Sequence, residues 1–226
     1  MRNLQPPERS TYLAGGGTLE VHSKWNTIQG EGPFAGSPAS FIRLAGCNLQ
    51  CPLCDTLYTE GRRVETVNEL ETWLKEQPHS LVVLTGGEPF RQNLREFSRM
   101  VKYDLGKILQ IETNGTNIPD DFFADDAIVV CSPKNNHIAP RTKPVVHSWK
   151  YVLRHDAVDE VDGLPTSALG MKSRPSRPTN SNQVYLQPCD DKDPEVNQLN
   201  LEATVKSCMK FGYRLCLQIQ KIVNMP

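Results

Sequence analysis

The clearest chemical signal in the sequence is a group of three cysteines within eight residues: Cys47, Cys51 and Cys54, spaced C-x3-C-x2-C. Thiolates this close together in one loop can face a single metal centre. Structural zinc sites usually need a fourth cysteine or histidine, and iron–sulfur clusters are commonly held by four thiolates. The nearest further candidates are His79 and Cys131. Three thiolates on a four-iron cluster leave one iron open to activate a small molecule. The spacing favours this open cluster, with an incomplete zinc site as the alternative.

The composition is that of a polar globular protein without a dominant charge. The chain has 226 residues, the size of one large domain or two small ones. Its 25 Lys and Arg against 26 Asp and Glu argue against a dedicated nucleic-acid or anionic-membrane binder. No apolar run approaches the roughly 20 residues of a membrane span, and the first residues contain no apolar signal core. Seven cysteines, an odd number, favour a reduced, cytoplasmic protein.

Apolar strand patterns alternate with helical patterns, which is the β–α–β rhythm of a parallel sheet. Strands are predicted over 40–44, 81–84, 108–112, 127–131, 149–153, 184–186 and 213–219. Helices are predicted over 66–77, 94–103 and 195–211. Thr66 and Glu69 form a capping box for the first helix. The core candidates of the last helix are Leu199, Val205, Cys208 and Met209. This is too little for a complete eightfold barrel, so we expect an α/β fold that is a partial (β/α)6 barrel with reduced helical content.

Unusual segments follow the predicted strands. They are TGGEP at 85–89, ETNG at 112–115, SPK at 132–134 and QPCD at 187–190, in addition to the cysteine segment. Barrels and open parallel sheets gather their function at this carboxyl edge. Turn formation explains one such segment well, but not all of them together. Two regions look peripheral: residues 1–20, and 171–182, which is basic, proline-containing and predicted to be a solvated loop.

The motifs resemble a known superfamily and, within it, one family. The cysteine triplet followed by GGEP at 86–89 is similar to the radical S-adenosylmethionine (SAM) superfamily. The narrower resemblance is to 7-carboxy-7-deazaguanine synthase. It rests on WNTIQGEG at 25–32, FIRLAGC at 41–47, the dipeptide Asp55-Thr56, IETNG at 111–115, CSPK at 131–134, LQP at 186–188 and LQIQK at 217–221. It covers most of 25–226 and omits the first twenty or so residues. The resemblance implies residues 1–22 as an N-terminal extension and 23–226 as a radical SAM core domain.

The family resemblance implies a reaction and a set of cofactors. The reaction is the ring contraction of 6-carboxy-5,6,7,8-tetrahydropterin to 7-carboxy-7-deazaguanine, with loss of ammonia, started by a radical derived from SAM. The cofactors are a [4Fe-4S] cluster, SAM and Mg²⁺, and the cofactors carry the hard chemistry while the protein orients them. The resemblance also implies a cytoplasmic enzyme of queuosine or other 7-deazapurine synthesis. Its expected partners are the pterin substrate, a flavodoxin-like electron donor and a second copy of the chain.

Site residues carry over from the family by position. The metal ligands are Cys47, Cys51 and Cys54 for the cluster and Thr56 for Mg²⁺. The SAM-binding residues are Gly87, Glu88, Ser132, Pro133, Lys134, Gln187 and Asp190. The substrate-binding residues are Ile28, Gln29, Gly30, Glu31, Arg43, Thr85, Gln220 and Pro226. Arg43 suits a carboxylate because its planar fork can bind both oxygens. Gln220 departs from the family, where many members have histidine, and glutamine can hydrogen-bond but cannot exchange a proton.

Two other functions remain open at this level. The first is a different radical SAM enzyme, a glycyl-radical activase, which has the same cysteine spacing and acts on a protein. The QGEG segment and Thr56 argue against it. The second is a non-enzymatic zinc- or cluster-bearing module that contacts a partner through 171–182. The iron and zinc content of the protein separates the module from either enzyme.

Overall fold

The computed structural model describes residues 2–11, 16–119, 122–180 and 182–226. Its strands are β1 (Thr18–Ile28), β2 (Pro38–Leu44), β3 (Arg63–Thr66), β4 (Leu81–Gly86), β5 (Ile108–Thr113), β6 (Ile128–Cys131), β7 (Val146–Leu153), β8 (Gln183–Pro188) and β9 (Arg214–Leu215). Its α-helices are α1 (Val67–Lys75), α2 (Arg95–Arg99), α3 (Pro194–Phe211) and α4 (Ile219–Ile222). Single turns of 3-10 helix cover Gly32–Phe34, Pro89–Arg91, Ala124–Asp126 and Lys143–Val145, and a π-helical turn covers Met100–Asp104.

All the strands of the described residues belong to one sheet, in the order β3-β1-β2-β4-β5-β6-β7-β8-β9. From β2 through β4 to β9 every neighbouring pair is parallel. β1 runs antiparallel to both β2 and β3. The sheet starts at β3 and ends at β9 without closing, and its helices are few, which confirms the predicted partial barrel. The carboxyl ends of the parallel strands meet at one edge, where the unusual segments lie.

Neither β1 nor β3 is predicted from the sequence. The register of β1 on β2 shifts between Val21 and Ser23. An irregularity of this kind interrupts the period-two alternation by which a strand is recognised. β3 is only four residues long and pairs with β1 alone. These two strands therefore become visible only through their pairing.

The two faces of the sheet bury different side chains, because successive residues of a strand point to opposite faces. Ile42, Val82, Leu84 and Ile111 belong to the main core, which includes the buried residues of α1 and α2. On the opposite face lies a smaller cluster of four buried residues, Ala39, Phe41, Leu81 and Val83, with Trp25 and Phe34 packed against it. We call this second side the inner face. Its apolar cluster ends short of the carboxyl edge, which leaves that edge to polar groups.

Helix α1 begins as its sequence predicts. The Thr66 hydroxyl accepts a hydrogen bond from the Glu69 amide at 3.2 Å, and the Glu69 carboxylate accepts one from the Thr66 amide at 2.7 Å. This capping box satisfies two donors that have no partner inside the helix. Val67, Leu70 and Leu74 then lie on the buried face. The helix therefore starts and packs through interactions that the sequence encodes locally.

Helix α3 packs through a different face from the predicted one. Cys208 is buried as expected, but Leu199, Val205 and Met209 are 46%, 40% and 82% exposed. The buried positions are instead Asn200, Thr204, Ser207 and Cys208. Asn200 explains the choice, since its amide nitrogen donates to the Cys189 carbonyl at 2.9 Å and its oxygen accepts from the His155 amide at 2.8 Å. Those groups follow β8 and β7, so the helix turns its polar side inward to satisfy them.

Two further expectations need correction. The strand predicted over 213–219 is wrong in extent, because only Arg214–Leu215 pairs with β8 and the chain then forms α4. The described part of the segment 171–182 is not fully solvated. Pro175 is buried, and the Ser176 carbonyl accepts a hydrogen bond from the buried Tyr151 hydroxyl at 2.7 Å. As for membranes, none of the helices in the described ranges is long and apolar enough to span a bilayer.

Replacing Gly86 with alanine tests the backbone contact at the end of β4. Gly86 has a φ of 139°, and a Cβ there would lie 2.2 Å from the Leu44 carbonyl oxygen. Because that oxygen belongs to the neighbouring strand, we expect Gly86→Ala to cost about 3 kcal/mol or more in urea unfolding. Gly212→Ala is the matched control, since its φ is 74° with open space around it, and should cost about 1 kcal/mol. Equal losses in the two variants would contradict this account.

Candidate functional site

The turn that follows β4 lies directly against the chain that leads into the cysteines. We call residues 45–62 the cysteine loop. The Gly87 amide donates to the Leu44 carbonyl at 3.2 Å, and the Glu88 amide donates to the Gly46 carbonyl at 3.0 Å. A Cβ on Gly87 would stand 2.0 Å from the Gly46 oxygen. Glycine is therefore required for the two backbones to approach this closely, and the two motifs form one site.

The three cysteines of the loop are free thiols in a largely dry environment. Cys47 and Cys51 are buried and Cys54 is partly buried. Burial raises the pKa of Cys47 to about 12, with the Glu88 carboxylate and the other two thiols adding to the effect. Burial also raises the pKa of Cys51 and of Cys54. Three neighbouring thiolates in such a place need a cationic centre to stabilise them.

The donor set of the cysteine loop fits an iron–sulfur cluster. Such clusters are held by cysteine thiolates, and the loop supplies three cysteines, two buried and one partly buried. The thiols of Cys51 and Cys54 lie close enough to Cys47 to raise its pKa. Zinc also binds thiolates, so the donor set indicates a thiolate-bound metal centre of either kind.

Lys134 brings a positive charge to the cysteine loop from β6. Its ammonium group donates to the Ser132 carbonyl at 2.9 Å and to the Ser132 hydroxyl at 2.5 Å. Burial lowers the pKa of Lys134, and the charge of Lys150 lowers it further, whereas the thiols of Cys51 and Cys54 oppose the change. Lys134 thus lies within electrostatic reach of both the cysteines and the inner face.

Glu88 is fully buried, and hydrogen bonds from the protein occupy its carboxylate. One oxygen accepts from the Thr113 hydroxyl at 2.7 Å and from the Phe90 amide at 2.9 Å, and the other accepts from the Asn114 amide at 2.7 Å. Burial raises the pKa of Glu88 to about 7, against the effect of these donors. The side chain thereby ties the turn after β4 to the end of β5. The Glu88 carboxylate therefore holds the turn in place through hydrogen bonds within the chain.

A polar network on the inner face is centred on Glu112, which the sequence analysis does not assign to the site. One oxygen of Glu112 accepts from the Gln29 amide at 3.2 Å and from the Gln110 amide at 3.1 Å. The other accepts from the Thr85 hydroxyl at 3.0 Å. Alternation along β5 could have identified it, because Gln110 and Glu112 are polar residues two apart in a central, buried strand. The network joins β1, β4 and β5.

A buried ion pair continues the network toward β7. The Lys150 ammonium binds the Glu31 carboxylate, which also accepts a hydrogen bond from the Gln218 amide at 2.8 Å. The Gln187 amide lies 3.2 Å and 3.3 Å from the two Glu31 oxygens, and it donates to them when its nitrogen faces the carboxylate. Burial favours the neutral acid, but the charge of Lys150 outweighs it and holds the pKa of Glu31 below its ordinary value. Glu31 is therefore ionised.

Arg43 differs from Lys150, which pairs with a carboxylate. Its guanidinium lies over the Trp25 ring, 4.9 Å from the centroid, and its Nε is buried without a hydrogen-bond partner. Burial lowers the pKa of Arg43, while the charges of Asp55 and Glu112 oppose this. In the part of the chain that the structure describes, Arg43 forms no ion pair. A desolvated guanidinium without an anion is a ready site for a carboxylate.

Other inner-face groups also lack partners. The buried polar atoms without a hydrogen bond include Trp25 Nε1, Thr27 Oγ1, Gln110 Oε1 and Gln220 Oε1. Gly30 lies so close to Gln220 that a Cβ would stand 1.6 Å from the Gln220 oxygen. Since buried polar groups are almost always satisfied, their concentration beside Arg43 indicates a place for a polar ligand.

The remaining predicted residues are located as follows. Ile28 ends β1 next to Gln29, and Pro133 lies between Ser132 and Lys134. The Thr56 hydroxyl donates to the Asp55 carboxylate at 3.3 Å. Asp190 is exposed, and it accepts hydrogen bonds from the Lys192 amide, Asn197 and Lys221, which lower its pKa to about 2. Pro226 is exposed at the end of the chain. The structure thus surrounds Asp190 with donors from its own chain, whereas Gln29, Glu31, Thr85 and Gln187 share the inner face.

The open parallel sheet, the three-cysteine loop and the glycine turn against it together define a radical SAM protein. No protein family model matches the chain. The chain is 37% identical to 7-carboxy-7-deazaguanine synthase of Rhodospirillum rubrum, over 96% of the chain and 97% of that protein. It is 34% identical to the enzyme of the same name from Rickettsia prowazekii, over 96% of the chain and 93% of that protein. The chain therefore belongs to the 7-carboxy-7-deazaguanine synthase family, and it is an enzyme of the lyase class.

A solved structure supports the fold. The crystal structure of QueE from Escherichia coli matches 89% of this chain and 94% of that chain with a TM-score of 0.68, at 22% sequence identity.

Breaking the buried ion pair tests how the inner face is held. Lys150→Met leaves the Glu31 carboxylate buried without its cation, so we expect a loss of about 3–5 kcal/mol in urea unfolding. The double variant Glu31→Gln, Lys150→Met removes both charges and should be more stable than Lys150→Met alone. A double-mutant cycle with no coupling between the two positions would contradict the pairing.

Proposed function

We propose that the protein catalyses the ring contraction of 6-carboxy-5,6,7,8-tetrahydropterin to 7-carboxy-7-deazaguanine with loss of ammonia. The family supports the product, since the relatives carry its name. The observation that carries the proposal for this chain is the Arg43 guanidinium on the inner face, which forms no ion pair with any described residue and whose Nε is buried without a hydrogen bond. A small substrate with one carboxylate matches this cation. The runner-up, an activase that acts on a protein, has no comparable support from the inner face.

The residues around the cysteine loop would hold the cofactors. Cys47, Cys51 and Cys54 would ligate a [4Fe-4S] cluster. The backbone at Gly87 and Glu88, the segment Ser132–Lys134 and the side chains of Gln187 and Asp190 would bind SAM, and Thr56 would ligate Mg²⁺. When bound, the cluster and SAM supply the radical chemistry of the superfamily. The buried Lys134 ammonium suits an anionic group such as the SAM carboxylate.

The inner face would orient the substrate. Arg43 would bind the pterin carboxylate through its planar fork while Trp25 supports the guanidinium from behind. Thr85 is the register partner of Arg43 on the neighbouring strand, and Glu112 accepts hydrogen bonds from both Thr85 and Gln29. Gln29, Gly30 and Glu31 would contact the pterin edge. The ionised Glu31 accepts hydrogen bonds and could receive one from a donor on the pterin edge. These contacts would hold the substrate in one orientation and keep water from its reacting carbon.

Proton transfer at Gln220 is excluded by its chemistry, since an amide neither gains nor loses a proton at neutral pH. Its oxygen lies against Gly30 without a hydrogen-bond donor, so its role would be to accept a hydrogen bond from the substrate. Ile28 and the terminal Pro226 would complete the pterin site. We further propose a flavodoxin-like electron donor, a homodimer and a cytoplasmic location, in keeping with an oxygen-sensitive cluster.

The direct test is an anaerobic assay. The protein is reconstituted with iron and sulfide, supplied with SAM, reductant and Mg²⁺, and 6-carboxytetrahydropterin is followed by mass spectrometry. We expect about four irons per chain and the formation of 7-carboxy-7-deazaguanine. Cleavage of SAM without this product would reject the substrate and favour the activase. One zinc with little iron would reject the radical chemistry altogether.

Replacing Arg43 tests the carboxylate site separately. A charge-assisted hydrogen bond contributes about 1.5–3 kcal/mol, so Arg43→Ala should raise the KM for the pterin by about 10- to 100-fold. Cleavage of SAM without substrate should persist. Arg99→Ala is the matched control, because Arg99 lies over the Tyr103 ring at 5.2 Å on the exposed side of a helix. If Arg43→Ala loses SAM cleavage as much as turnover of the pterin, the variant is misfolded and Arg43 is not assigned to the carboxylate site.

A further inference from the structure

The first described residues of the chain lie against the cysteine loop. We call residues 2–11 the N-terminal strap. The backbone of the strap contacts the loop at two points. The Asn3 amide donates to the Pro52 carbonyl at 2.9 Å, and the Glu8 amide donates to the Cys47 carbonyl at 2.7 Å. The strap lies in the region predicted to be an N-terminal extension, and its contacts are with the loop that carries the three cysteines.

Asn3 is the first side chain of the strap that holds the loop. It is 8% exposed, and its amide nitrogen donates to the Cys51 carbonyl at 3.1 Å and contacts the Tyr58 hydroxyl at 3.4 Å. Its oxygen accepts from the Gln5 backbone amide at 3.0 Å and from the Gln5 side chain at 3.1 Å. Both the nitrogen and the oxygen of the Asn3 side chain therefore form hydrogen bonds, and the nitrogen fixes the Cys51 backbone to the strap.

Gln5 holds the second half of the loop. Its amide nitrogen donates to the Thr56 carbonyl at 2.9 Å. Its oxygen accepts from the Tyr58 amide at 2.7 Å and from the Thr59 amide and hydroxyl at 3.2 Å and 3.0 Å. The Gln5 side chain thus forms hydrogen bonds with backbone groups of residues 56–59, as a neighbouring strand would. It determines the backbone position of the proposed Mg²⁺ ligand.

Glu8 fastens the other end of the strap. Its carboxylate forms a two-point ion pair with Arg62, at 3.0 Å and 2.5 Å, the geometry in which this pair is strongest. The Glu8 carboxylate also lies 3.5 Å from Arg91, which is 1% exposed and donates to the Ala45 carbonyl at 3.1 Å. The strap is therefore anchored at the beginning and at the end of the cysteine loop.

We propose that Asn3 and Gln5 are positioning residues for the metal centres of the cysteine loop, on the basis of the proposed function. The loop has few backbone bonds of its own, and the strap occupies carbonyls at Cys47, Cys51 and Thr56. Groups that orient metal ligands from behind typically contribute 10- to 100-fold to metal affinity. Asn3 acts on cluster retention through Cys51, and Gln5 acts on Mg²⁺ binding through Thr56.

Iron release is the test for Asn3. The reconstituted protein is mixed anaerobically with an excess of a ferrous-iron chelator, and the loss of the visible cluster absorbance is followed. We expect Asn3→Ala to release iron at least about 10-fold faster than the wild type. Leu4→Ala is the matched control, because Leu4 is the neighbour of both residues and is 82% exposed; it should release iron at the wild-type rate.

Magnesium dependence is the test for Gln5. The rate of product formation in the anaerobic assay is measured as a function of Mg²⁺ concentration. We expect Gln5→Ala to raise the Mg²⁺ concentration that gives half of the maximal rate by about 10-fold. Gln5→Glu keeps the acceptor for Tyr58 and loses the donor to Thr56, so it should show the same shift if both variants fold. Wild-type iron release in Asn3→Ala and an unchanged Mg²⁺ response in both Gln5 variants would overturn the proposal and leave the strap a structural element. A wild type that binds no iron would overturn the proposed function as well, which separates the two failures.

Discussion

The site depends on a contact between two backbones that leaves no space for a side chain. The turn after β4 donates two amides to residues 44 and 46, and a Cβ at Gly87 would overlap the Gly46 oxygen. This contact sets the distance between the cysteine loop and the turn of the neighbouring strand. Glu88 also holds this turn, because its buried carboxylate accepts a hydrogen bond from the Asn114 amide at the start of the loop after β5. These bonds fix the start of the cysteine loop, just before Cys47.

The inner face carries a cation, Arg43, that forms no ion pair with any of the described residues. Ionised groups that leave water must be compensated, because burial otherwise favours their neutral forms. Lys150 and Glu31 compensate each other, and Glu112 is satisfied by donors from three strands. Arg43 has only the face of Trp25 and more distant carboxylates. The proposed role of Arg43 in binding a substrate carboxylate rests on this difference between Arg43 and the Lys150–Glu31 pair.

Side-chain amides replace regular structure at several points of this fold. Gln5 satisfies the backbone of the cysteine loop, Asn200 satisfies the segments after β7 and β8, and Gln92 pairs with both the amide and the carbonyl of Glu20. Each of these residues is far in sequence from the groups it binds. A chain with few long helices has many loop carbonyls to satisfy, and buried amides, which donate and accept at once, satisfy them economically.

The sequence by itself determined the features that depend on neighbouring residues. The capping box of α1, the central parallel strands and the motif order at the carboxyl edge are all local patterns. The cysteine spacing with GGEP indicates the superfamily, and the QGEG segment with the later motifs indicates the family. Only the tertiary structure decided which partner each segment meets. It revealed β1, whose register shift hides its alternation, the polar buried side of α3, and Glu112 at the centre of the inner face. It also placed Asn3 and Gln5 on the cysteine loop. The physical reason is that a hydrogen bond between residues fifty positions apart leaves no periodic trace in the chain, whereas a helix cap or a buried strand does.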